Sequence, residues 1–190
     1  MKNHKIKIYI NGKKVETLED IFPNKPGLKI LFIGKTPAPV SVKKGHYFQG
    51  RHGRMFWNKL REYQILKIPE DAEFEDDYLL PNGFGITDIC KKPKGFMEEP
   101  SDEEYKNGAQ KIINLIKCYK PLVVVFVYKK VLDQILKIAF KITEKSKYGL
   151  NSELENIFKC KVFVFPMPGT PCKKNQADDA MKQLSRIIKK

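Results

Sequence analysis

The 190 residues carry 36 Lys+Arg against 22 Asp+Glu, a formal charge of +14 with a sequence pI near 9.5, on a chain that is 42% hydrophobic and 11% aromatic. That length suits one domain, and the apolar content supports a packed core, which excludes a disordered polycation and a disulfide-stapled miniprotein. The excess positive charge implies a polyanion partner, of which nucleic acid is the commonest.

The longest purely apolar run, Leu122 to Val127, is too short to cross a bilayer, and no signal-like stretch follows the polar start Met1-Lys2-Asn3-His4. The expectation is a soluble protein with no membrane partner, cytoplasmic, and nucleoid-associated in a prokaryote or nuclear in a eukaryote. Cys90, Cys118, Cys160 and Cys172 lie far apart with no Cys-x-x-Cys pair, so neither a zinc site nor an iron–sulfur cluster is suggested. There are three histidines, and His4 falls in the mobile-looking start, which argues against a multi-histidine metal site. The expectation is therefore no metal and no cofactor.

In chain order, Lys5 to Ile10 alternates at period two and runs into Asn11-Gly12, then Lys13-Lys14-Val15, predicting a β-hairpin extension over 1–16 ahead of a domain over 17–190. Thr17 to Phe22 predicts a short helical turn ended by Pro23 and Pro26, and Leu28 to Ile33 a strand stopped by Gly34. A long polar loop follows, then a helix around Met55 to Tyr63, whose Trp57 and Leu60 read as core. Gly34 to Arg61 holds seven Lys/Arg, two histidines and no acid, and resembles a contact surface. The acidic block Glu70, Asp71, Glu73, Glu75, Asp76 and Asp77 reads as a solvated loop facing away from phosphate.

Gly85 to Ile89 predicts a short strand, Ser101 and Glu104 a capping box opening a helix to Tyr119, and the β-branched run Leu122 to Val127 a strand covered on both faces. A helix over Lys129 to Ile142, a strand over Val162 to Phe165 and a helix over Gln176 to Ile188 complete the pattern. Strands alternating with helices predict an α/β fold, a three-layer α/β/α sandwich around a mostly parallel sheet. Ligands of such sheets sit beyond the carboxyl ends of the strands, here Gly34-Lys35-Thr36-Pro37, Thr87-Asp88 and Pro166-Met167-Pro168-Gly169. No phosphate-binding glycine motif and no Gly-x-Ser-x-Gly elbow is present.

The stretch Pro26 to Pro37, then Lys44-Gly45-His46-Tyr47-Phe48, Phe56-Trp57, Gly85-Ile86-Thr87-Asp88, Lys120-Pro121 and Phe165-Pro166-Met167-Pro168-Gly169 resembles the mismatch-specific uracil/thymine DNA glycosylases of the uracil-DNA glycosylase superfamily. Those proteins carry, in the same order, a strand with Gly-Ile-Asn-Pro-Gly, a Gly-His-His/Phe-Tyr/Phe patch, Asn-Arg/His-Phe-Trp, and Pro-Asn-Pro-Ser or Met-Pro-Ser-Ser. The likeness spans roughly residues 16 to 188.

It implies that Phe48 stacks on a flipped base and that Gly34, Lys35, Pro37 and Met167 border it. Extraction is required because the glycosidic bond is inaccessible inside a stacked duplex. The loop of Met167 to Cys172, with Pro168, Gly169 and Thr170, would enter the duplex. Lys43, Lys44, Arg51, Arg54, Lys173 and Lys174 are candidate phosphate contacts beside the aromatics. Thr36 stands where the family has its catalytic Asn, and a hydroxyl replaces a carboxamide. Asp88 and His46 are the residues that can compensate, Asp88 by orienting water and His46 by hydrogen-bonding the leaving base; an attack by the Lys35 amine is a minor alternative. The implied function is a monomeric, cofactor-free hydrolase that removes a damaged or mismatched pyrimidine, uracil foremost, from double-stranded DNA to leave an abasic site. The alternative is a lesion-binding protein on the same scaffold that lost efficient catalysis through Thr36.

Overall fold

The computed structural model describes residues 3–95 and 98–189, so Met1 and Lys2 of the polar start lie outside it. β1 (Lys5–Ile10) and β2 (Lys13–Leu18) pair antiparallel. Asn11 and Gly12 turn the hairpin with φ of 50° and 73°, the left-handed backbone that a two-residue primed turn requires.

The main sheet has five strands in the order β4-β3-β5-β7-β6. β3 (Ile30–Gly34), β4 (Phe84–Asp88), β5 (Val123–Phe126) and β7 (Lys161–Val164) are parallel, and the two-residue β6 (Gly149–Leu150) closes one edge antiparallel to β7. Along these strands alternate residues serve opposite faces, as the pleat dictates. Ile30, Phe32, Val123, Val125 and Phe163 pack with Phe56, Trp57 and Leu60 of α2 (Arg51–Glu62) and with Met181 and Leu184 of α6 (Lys174–Lys189). Leu31, Ile33, Val124, Phe126, Val162 and Val164 pack on the other face. Their partners include Ile112 and Ile116 of α3 (Asp102–Tyr119), Leu132 and Ile135 of α4 (Lys129–Phe140) and Phe158 of α5 (Glu155–Phe158). The result is the expected helix–sheet–helix sandwich with an amino-terminal hairpin.

At α3 the capping box forms in both directions: Glu104 N–H donates to Ser101 Oγ and Ser101 N–H to the Glu104 carboxylate. Four local expectations differ. The long loop after β3 contains a six-residue helix, α1 (Pro39–Lys44), started by Pro39 and ended by the left-handed Gly45. Residues 17–22 form no helix: Thr17 and Leu18 complete β2, and Ile21 makes an antiparallel bridge to Ile86 on the outer edge of β4. The acidic block is not uniformly solvated, since Asp76, in a one-turn 3-10 helix over Glu75–Tyr78, is buried. His4 is buried as well, with its backbone anchored by hydrogen bonds to Gly45 and Glu19.

Candidate active site

All four parallel strands end on one side of the molecule, because Gly34 is in register with Asp88, Ile33 with Phe126, and Phe126 with Val164. A cavity of about 330 Å³ opens there, bordered by Lys35, Thr36, Pro37, Phe48, Asp88 and Tyr128 among others. Asp88 borders this cavity at the end of β4. It is 2% exposed, and its Oδ2 has no hydrogen-bond partner among the described residues. Burial pushes its pKa up to about 7; Lys91 and Lys111 pull it down, and Asp20 raises it. Gly34 is required beside it, since a Cβ at that position would overlap the Asp88 carboxylate and lie 3.4 Å from the Phe48 ring.

Behind Asp88 lies a braced ionic network. Asp20 pairs with Lys91 at 2.5 Å and Lys111 at 2.7 Å and accepts a 2.5 Å hydrogen bond from Thr87 Oγ1. Burial works against the Asp20 charge, but the two lysines outweigh it and hold the carboxyl below its ordinary value. Lys91 also donates to the Leu18 carbonyl and to Tyr47 Oη, and Thr17 Oγ1 donates to the Lys91 carbonyl. The hairpin thus reaches the site, and Leu18 lines the cavity.

Opposite Asp88, Phe48 adopts φ 55°, a conformation an aromatic residue holds only when its surroundings enforce it. The enforcement is visible. Phe48 packs 4.7 Å from the Phe56 ring and against Trp57, whose indole N–H donates to the Tyr47 carbonyl. Gly53 lets α2 approach, because a Cβ there would collide with the Phe48 carbonyl. The amino terminus of α2, with Gly50, Arg51, His52 and Gly53, also borders the cavity, and no side chain caps its first amides. Such an end favours negative charge.

A family model described as the uracil DNA glycosylase superfamily matches residues 22–183. The chain belongs to the uracil DNA glycosylase superfamily. Among curated proteins it is similar to the G/U mismatch-specific uracil DNA glycosylase of Schizosaccharomyces pombe, 31% identical over 101 residues. That alignment takes in 53% of this chain and 31% of the relative, so the likeness spans about a third of that protein's length.

Within this superfamily scaffold, the fold gathers Gly34, Lys35, Thr36, Pro37, Phe48, Arg51 and Asp88 around one cavity. Two of the expected site residues lie elsewhere. His46, expected to hydrogen-bond a leaving base, is buried outside the cavity: its Nδ1 is 2.8 Å from Asp76 Oδ1 and its ring stacks on Phe74 at 3.6 Å. Met167, expected at the base, is buried in the core between the sheet and α6. The Lys35 ammonium is committed to Glu99 at 2.9 Å and to the Glu98 carbonyl, so it is not aimed as a nucleophile.

Pro168 and Thr170 are half-buried and Gly169 exposed in a tight turn, where Thr170 donates through both N–H and Oγ1 to the Met167 carbonyl and Gly169 takes φ 84°. Lys43 and Lys44 in the last turn of α1, Arg51 and Arg54 in the first turn of α2, and Lys173 and Lys174 before and at the start of α6 are all exposed. Tyr128 and Lys94 border the cavity without having been singled out in the sequence. Burial and the Asp88 charge push the Tyr128 hydroxyl up to about 12. Its one legible signal is position, directly after a buried strand.

Proposed function

We propose that the protein is a DNA N-glycosylase that extrudes a damaged or mismatched pyrimidine, uracil foremost, from duplex DNA and hydrolyses its N-glycosidic bond. The observation that carries this reading is Asp88, a buried carboxylate with one oxygen unpartnered, facing the Phe48 ring across Gly34. Similarity to the G/U mismatch-specific uracil DNA glycosylase of fission yeast supports uracil opposite guanine as the substrate.

The flipped base stacks on Phe48, and Asp88 in its ionised form accepts a hydrogen bond from a water aligned on the sugar C1′. As the C1′–N bond breaks, its electron pair leaves with the base, and positive charge develops on the sugar, where the Asp88 carboxylate stabilises it. The water oxygen bonds to C1′ and its proton passes to Asp88, leaving an abasic site and a free base. The uncapped start of α2 favours the negative charge carried by the departing base or an adjacent phosphate. Thr36 borders the same cavity and offers a hydroxyl to the water or base. One chain holds every group this scheme needs, so a monomer suffices.

Single-turnover cleavage of duplexes carrying uracil opposite guanine, developed with alkali, tests the proposal. The wild type is expected to cleave, Asp88→Asn to lose about 10² to 10⁴ in rate, and Thr36→Ala to lose less. Tight, salt-sensitive binding with no cleavage of uracil, hypoxanthine or other lesions would instead support a lesion-binding protein. The lack of a carboxamide at position 36 is the observation that favours this second reading.

A further inference from the structure

Away from the cavity, four side chains with metal-ligand chemistry converge: His4, His46, Asp76 and Asp77 each place a ligand atom within 4.8 Å of the others. They come from three segments: the residue before the hairpin, the loop that carries Phe48, and the 3-10 helix over 75–78. His4, His46 and Asp76 are at most 5% exposed, and the Asp77 side chain is 19% exposed.

We propose that His4, His46, Asp76 and Asp77 form a structural site for a divalent transition-metal ion of the zinc class. Tetrahedral zinc held at 2.0–2.1 Å by imidazole nitrogen and carboxylate oxygen separates its ligand atoms by about 3.3 Å. The His46 Nδ1–Asp76 Oδ1 distance of 2.8 Å and the His4 Nε2–Asp77 Oδ1 distance of 3.8 Å bracket that spacing.

Charge balance points the same way. Two carboxylates, Asp76 buried and Asp77 partly buried, face each other across the cluster, and a divalent cation between them offsets their charge. Asp77 Oδ2 is buried with no hydrogen-bond partner among the described residues, a donor atom that the protein itself does not satisfy. The surroundings also orient the ligands: Tyr47 N–H holds Asp76 Oδ2 at 2.7 Å, which turns Oδ1 toward His46 Nδ1 at 2.8 Å, and Phe74 stacks flat on the His46 ring. Mixed nitrogen and oxygen donors select zinc, cobalt or nickel over calcium or magnesium. Four protein ligands leave no open position, so the site is structural. It staples the hairpin and the acidic turn to the loop two residues before Phe48, and it does not depend on the activity proposed above.

The test uses the full chain after EDTA treatment and dialysis, titrated with zinc or cobalt(II) and followed by calorimetry, thermal unfolding and visible absorption. The expected result is one ion per chain, intense cobalt d–d bands of a tetrahedral site, and a rise in Tm of about 5–10 °C at a hundredfold excess over Kd. His4→Ala and the near-isosteric Asp77→Asn should each weaken binding at least about 100-fold, while Cys118→Ser leaves it unchanged. Absence of stoichiometric binding, octahedral-type cobalt bands, or binding that survives both ligand substitutions would overturn the proposal. The cobalt spectrum of the wild type decides the matter even if a variant folds poorly.

Discussion

Asp88 couples chemistry to stability in opposite senses. The ordinary carboxyl value is 3.8, and burial lifts Asp88 to about 7 in the folded protein, so the folded state binds this proton more tightly than the unfolded chain does. The stability from the protonated form is fully present below about pH 4 and is lost as pH rises through about 7; a shift of about three units corresponds to about 4 kcal/mol. Asp88→Asn removes that slope. Denaturant midpoints are expected to favour the variant clearly at pH 8 and to converge with the wild type at pH 4. The proposed reaction uses the ionised carboxylate, so the single-turnover rate of the wild type should climb with pH through about 7 and then level. An unchanged pH dependence of stability in Asp88→Asn would mean that this carboxyl does not titrate in the range its burial implies.

Among the elements, the segment from α1 into α2 shapes the Phe48 side of the cavity, and its geometry depends on close backbone approach. Gly53→Ala would drive a methyl group into the Phe48 carbonyl, with an expected cost of about 1–3 kcal/mol in chemical denaturation. Phe48→Ala should reduce affinity for duplex containing a lesion by about 10- to 100-fold, the worth of one base–aromatic stack, with little change for undamaged duplex. Equal losses on both would count against stacking.

This segment also marks where sequence reading stops. The runs Leu122 to Val127 and Val162 to Phe165 were legible as buried strands because apolar, mostly β-branched and aromatic residues sit there without interruption, and α3 because Ser101 and Glu104 announce its start. α1 has only six residues, too few for an apolar period to register. Asp88 could be placed at a strand end, but not its burial, which depends on Gly34 in the neighbouring strand. The pairing of His46 with Asp76 joins residues 30 positions apart, and nothing local in either segment announces the other. Met167 sits at the right place in its motif yet is buried in the core cluster shared with Met181 and Leu184 of α6, a burial set by residues remote in sequence.

For the molecule as a whole, part of the +14 charge is carried near the ends of the parallel strands. Exposed Lys43, Lys44, Arg51, Arg54, Lys173 and Lys174 belong to the segments that follow the carboxyl ends of β3 and β7. If these meet phosphates, the logarithm of the duplex association constant should fall linearly with the logarithm of salt concentration, and each Lys/Arg→Ala change should flatten the slope by about 0.9. Titrations at several salt concentrations check this, and a slope unaffected by all six substitutions would place the duplex on another face.

The bridge between Ile21 and Ile86 has a consequence of its own. A parallel sheet ending in an uncovered strand offers a row of free amides and carbonyls to any passing chain, the usual seed of edge-to-edge aggregation. Here Ile21 exchanges both backbone hydrogen bonds with Ile86 on the outer side of β4, and the opposite margin is only the two residues of β6. Both margins are thereby shortened as templates for strand addition, which lowers the reward any passing strand gains by pairing there.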